Sequence, residues 1–180
     1  MYILPCRELE NLMLDDEAIQ KVINVERGRF GKDAVTVEEI SSATRELAAE
    51  LQQVVVLKQV MADLADPIRL VDHKMRGKLA KQSADKAALS AAVLPRVPTA
   101  EALEAKISST WDEHDGEISS NWDADWKNLA PGAEILQGLW LKYLNRGYNK
   151  SKDGLALAEA MEVPPQALHE LLDKFMQDNP

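Results

Sequence analysis

The sequence is poor in the residues that most often announce a chemistry. Its 180 residues include one cysteine, Cys6, which excludes an intrachain disulfide and any Cys-x-x-Cys metal or redox pair. Cys6 has no neighbouring histidine in sequence and reads as a bystander. Three histidines are present, and the residues three positions before them are Leu70, Trp111 and Gln166. The Glu-x-x-His ligand pattern of di-metal helical bundles is therefore absent. So are the Gly-x-Ser-x-Gly elbow, the phosphate-binding P-loop and the Gly-x-Gly-x-x-Gly turn. Glycine and proline number only 8 each, too few for a fibrous or low-complexity chain. Uninterrupted apolar runs stop at a few residues, such as Val54–Leu57, where a membrane span needs about 20. The stretch Met1–Leu14 lacks a positive leader, and Pro5, Arg7 and Glu8 interrupt its apolar residues, so no signal peptide is expected. These absences point to a cytoplasmic protein with no membrane partner, no metal and no cofactor.

What is present is apolar periodicity. Apolar residues make up 46% of the chain and charged residues 28%, enough to bury a core without a disulfide or a metal. The apolar positions recur every three or four residues almost throughout, which predicts an all-α protein. A first short helix carries Leu9, Leu12 and Met13, and a second, capped by Asp15 or Asp16, carries Ile19, Val22 and Ile23 and ends at Gly28. Gly28-x-x-Gly31 before Lys32 is read as a turn. Thr36-Val37-Glu38-Glu39 has the form of a capping box. The helix it opens should run to about Ala65 with Ile40, Ala43, Leu47, Leu51, Val54, Leu57, Met61 and Leu64 inward. Asp66-Pro67 is a stop or kink signal. A further helix reaches Val93, and Leu94–Pro98 forms a turn that Thr99 follows as a cap. Leu103, Ile107, Trp111, His114, Ile118, Trp122, Trp126 and Leu129 then predict one helix of about 45 Å. Pro131 opens the next, closed by Gly147, with Ile135, Leu136, Leu139, Trp140, Tyr143 and Leu144 inward. Two shorter helices, from about Asp153 and Pro165, end the chain. The expected architecture is an irregular bundle of about six to eight helices. Residues 1–147 form the body, and 148–180 a small C-terminal pair packed on it.

Charge is unevenly placed. The chain has 21 basic and 30 acidic residues, a net charge of -9. Arg69–Lys86 nevertheless holds six bases against two acids, whereas Glu101–Asp125 holds eight acids against Lys106. An antiparallel hairpin about residue 96 would set these runs side by side, with the charges choosing register more than adding stability. The basic run has no interleaved aromatic on which bases stack.

Leu157–Leu172 resembles the helix-turn-helix motif of bacterial repressors. The matching residues are Ala158 in the first helix, Met161 and Val163 across the turn, and Leu168 with Leu171 or Leu172 in the second. Glu162 stands where the motif usually has glycine. The resemblance implies DNA binding, with Gln166 and His169 on the reading helix and Lys150 and Lys152 as phosphate contacts. Asp153–Pro180, however, has six acids and only Lys174, the wrong sign for a phosphate backbone.

The other reading is a non-enzymatic adaptor, regulator or inhibitor that binds another protein with a basic surface. Its expected surface is Trp111, Asp112, Glu113, Asp115, Trp122, Asp123, Asp125 and Trp126, in which tryptophans either anchor packing or serve as binding hot spots. Asp112–Glu117 lacks the Asp-x-Asp-x-Asp-Gly spacing of a calcium loop, and His114 is expected to be a hydrogen-bonded core histidine.

Overall fold

The structure, a computed structural model, describes residues 8–68, 91 and 99–178, and every regular element among them is helical. A 3-10 turn, Leu9–Met13, is followed by α1 (Asp16–Arg29), α2 (Val37–Ile68), α3 (Ala100–Leu129), α4 (Gly132–Leu144), α5 (Lys150–Ala160) and α6 (Gln166–Asp178). The basic run Arg69–Lys86, the hairpin turn Leu94–Pro98 and His73 lie outside the described residues. The chain forms two compact units, one from residues 1–55 with 121–180 and the other from residues 56–120.

Helix starts follow local chemistry. The Asp15 carboxylate accepts from the Ala18 N–H at 2.8 Å and opens α1. At α2 the Thr36 hydroxyl accepts from the Glu39 N–H (3.2 Å), and the Glu39 carboxylate accepts from the Thr36 N–H (2.8 Å), closing the reciprocal box. Thr36→Ala is expected to lower stability by about 1 kcal/mol, read as a shifted urea midpoint with unchanged slope. Thr99 and Asn149 cap α3 and α5 through the Ala102 and Lys152 N–H groups.

Helix ends depart from expectation in three places. Helix α2 continues past Ala65 and through Pro67 to Ile68, so Pro67 does not end the helix at Asp66. Helix α3 spans its expected length but breaks from helical geometry at Asp125 (φ -136°, ψ 18°). There the carboxylate accepts from the Asn128 amide at 2.6 Å, a local bond that competes with the helix. Helix α4 is closed by Asn145 in the left-handed region (φ 56°) and not by Gly147. Asparagine tolerates that region better than other side chains, and it arrives two residues sooner.

In the first unit the core gathers Ile19 and Ile23 of α1, Ile40 and Val55 of α2, Trp122, Ile135, Leu136, Leu139 and Trp140, and Leu157 of α5. Helix α1 packs on α4 and α5, and both of those touch the 3-10 turn. In the second unit Val56, Val60, Leu64, Thr110 and Ile118 are buried. The inward face of α2 therefore differs from the expected stripe in its second half: Leu57 and Met61 are exposed, and Val56 and Val60 replace them. Steps near four residues, from Ile40 through Thr44, Ala48 and Val56 to Val60 and Leu64, hold the buried face. The apolar run Val54–Leu57 offered every face at once.

Candidate functional site

The acidic, tryptophan-containing stretch is divided between the units. In the second unit Trp111 is half-buried, Asp112 and Glu113 are exposed and Asp115 is partly covered. The Asp112 and Glu113 side chains make no hydrogen bond or ion pair among the described residues. Ile107, one turn earlier on the Trp111 face, is 40% exposed. His114 is partly buried, with Nε2 2.8 Å from the Asp63 carboxylate and a buried Nδ1 that has no hydrogen-bond partner among the described residues. In the first unit Asp123 and Asp125 are exposed and Trp126 is half-buried beneath the Lys127 ammonium. Trp122 is core, buried among apolar residues, so its indole is not on offer to a partner.

The residues of the DNA reading are mostly engaged with the chain's own acids. Lys150 meets Glu10 at 2.5 Å, which holds the Glu10 carboxyl below its ordinary range and raises the ammonium. Lys152 lies 3.6 Å from Glu26, and the Gln166 amide donates to Glu170. His169 is exposed.

The most organised polar cluster centres on Arg146. Its guanidinium donates twice to Glu26 (3.0 and 2.8 Å) and twice to Asp153 (2.7 and 2.8 Å), and once to the Gly147 carbonyl. The Asn145 cap ends α4 just before this residue and the Asn149 cap starts α5 just after it, so Arg146 sits in a short corner facing α1. Asp153 is 2% exposed and also accepts from the Asn149 N–H at 2.7 Å. Burial pushes this carboxyl up, but the Arg146 hydrogen bonds and charge with the Asn149 N–H outweigh it and hold it below the ordinary range. The same bonds keep the guanidinium charged. Beside it Tyr148, edge-on to Trp140 at 5.3 Å, has its phenol pushed up to about 12, mainly by burial. The Arg146 guanidinium and the Glu26 and Asp153 carboxylates match one another, so the cluster works as a clasp joining α1, the corner and α5. No motif or spacing in the sequence singles out Arg146. Its partner Glu26 lies 120 residues away, and no spacing rule points to it.

The chain matches no protein-family model, no curated protein and no solved structure. The geometry of its own residues therefore carries the functional reading. Among the described residues no group of three or more His, Cys, Asp or Glu converges as a metal site would require, and no helix is long and apolar enough to cross a membrane.

Proposed function

We propose that the protein is a non-enzymatic binding protein, an adaptor, regulator or inhibitor, that recognises a basic surface on another protein. The observation that carries this reading is the pair of exposed acids Asp112 and Glu113, without an ion pair among the described residues, beside half-buried Trp111 and exposed Ile107. A partner presenting Lys or Arg there meets exposed negative charge, while Trp111 and Ile107 supply the apolar anchor that most of the binding energy needs. The closed Arg146 cluster weighs the same way, because its groups neutralise one another and leave none poised to transfer a proton. Asp123 and Asp125 give the first unit a separate acidic segment. On this reading the protein is cytoplasmic, in keeping with its single cysteine, and residues 148–180 form a helical pair packed on a bundle of six to eight helices.

The test is capture with the intact protein, followed by direct titration of each captured protein against wild type and D112K/E113K. Affinity for the true partner should fall roughly tenfold or more in the variant, and wild-type binding should weaken with salt. Equal binding by both proteins would overturn the assignment. The alternative, a DNA-binding regulator with true helix-turn-helix geometry at α5 and α6, draws on the Met161–Pro165 turn between them. The Lys150–Glu10 and Lys152–Glu26 contacts weigh against it. Sequence-dependent duplex binding that survives about 150 mM salt would favour it over protein binding.

A further inference from the structure

Helices α1 and α5 lie side by side and antiparallel, for Lys21 of α1 reaches Glu162 just past the end of α5 (2.7 Å) while Glu26 meets Lys152 near its start (3.6 Å). Between them runs a groove of about 360 Å³ whose floor is Val22, Val25, Ala156 and Ala160. At the start of α1 it continues into a pocket lined by Asp15, Glu17 and Glu162. At the other end it opens into a cavity of about 440 Å³ lined by Arg27, Arg29, Phe30 and Lys32. The face is thus acidic at one end, apolar in the middle and basic at the other. Its apolar side chains stand out: Val25 is 59% and Phe30 76% exposed. The side chains of Glu17, Arg29 and Lys32 make no hydrogen bond or ion pair among the described residues, although the Glu17 charge acts on the Lys21 ammonium.

We propose that this face binds a second copy of the same chain, antiparallel about a twofold axis. A surface with opposite charge at its two ends complements itself under such an axis, because rotation carries each acidic end onto the other copy's basic end. Glu17, Lys21, Val25 and Arg29 follow one another at intervals of four residues and share one side of α1. The midpoint between Glu17 and Arg29 is at Ile23. An axis passing that level sets Glu17 of each copy against Arg29 of the other, twice, with the apolar floor of each copy between the two pairs. The α1 ridge of each copy then lies over the groove between α1 and α5 of its mate, so two two-helix layers stack as in a four-helix bundle. A parallel pairing would set acid against acid and base against base.

The test is sedimentation of the full chain at about 50 mM and 500 mM salt, with wild type, E17K, R29E and E17K/R29E. Wild type should associate to twice its 20.0 kDa mass, more weakly at high salt. Each single reversal places like charges at both contacts and should weaken association at least tenfold. The double variant restores both attractions, as does an equimolar mixture of the two single variants, and both should recover the dimer. Circular dichroism of each variant confirms that these exposed positions leave the helices formed. A wild-type monomer at all concentrations, or a dimer that both single reversals leave intact, overturns the proposal. So does a monomer whose R29E variant loses a different captured protein, which would assign the groove to another occupant.

Discussion

Replacing Arg146 by alanine is expected to destabilise the protein by about 3 kcal/mol at neutral pH and to lower its melting temperature by about 6–12 °C. The reason is what remains behind. Asp153 is 2% exposed, and the Glu26 side chain is 16% exposed. Without the guanidinium, one buried carboxylate loses its charged partner and keeps neutral donors such as the Asn149 N–H, and the other loses two guanidinium hydrogen bonds. The Arg146 side chain is itself 31% exposed, so water partly compensates and the low end of the range for a broken buried pair applies. The pH dependence separates charge from packing. In the wild type the Asp153 carboxyl is held below its ordinary value, so its contribution is present above about pH 4 and fades as pH falls through the lowered value. In the variant the lowering influence of Arg146 is gone and burial dominates, so protonation relieves the fold. The gap between the two proteins should therefore shrink as pH drops from 7 to 3.5. Urea midpoints for both proteins at the two pH values measure it, and a constant gap would mean that Arg146 acts through packing alone.

Which parts of this arrangement are legible in the sequence follows from the range of the forces involved. The caps act over three residues, so spacing identifies Thr36 and Thr99 and narrows the first to Asp15 or Asp16, of which the structure uses Asp15. Most of the inward set of α4 is also plain: Ile135, Leu136, Leu139 and Trp140 are buried as expected, while Tyr143 and Leu144, in the last turn, are only half-buried. Helix α2 is harder. Three consecutive valines and a leucine satisfy any face, and the chosen one is fixed by the packing of the folded chain and not by periodicity. Charge is least legible. Lys150 and Lys152 read equally well as phosphate contacts or as partners of Glu10 and Glu26, because the deciding distances run across more than a hundred residues. Trp122 shows the same limit for apolar residues: periodicity places it on the apolar side of α3, but only the packing of its unit makes it core. The Asp125 break, carried by a local bond to Asn128, then separates the environments of Trp122 and Trp126.

Gly132→Ala should lower stability by about 2–3 kcal/mol, although the same change in an ordinary helix raises it by about 1 kcal/mol. A Cβ at this position would stand 2.7 Å from the Asn11 backbone nitrogen and 2.8 Å from the Glu10 carbonyl carbon. Both are backbone atoms, with no flexible side chain to yield. The 3-10 turn sits this close because Asn11, only 6% exposed, ties it to the corner between α3 and α4. The Asn11 amide donates to the Lys127 carbonyl at 2.6 Å and the Ala130 carbonyl at 2.7 Å, and its oxygen accepts from the Glu8 N–H at 3.0 Å. Those two carbonyls lie at the end of α3, where helical donors run out. Glu8 returns the contact by accepting from the Ala133 N–H in the first turn of α4. Asn11→Ala strips both carbonyls of this donor and should itself lower stability by about 2–3 kcal/mol. An added methyl at Gly132 pushes the turn outward and breaks the same bonds. The N11A/G132A double variant should therefore lose less than the sum of the two single variants, by about 1 kcal/mol or more. Urea denaturation of the four proteins measures the coupling. Full additivity would show that the close approach at Gly132 and the Asn11 bonds are independent, and a neutral Gly132→Ala would show that the turn has room to move.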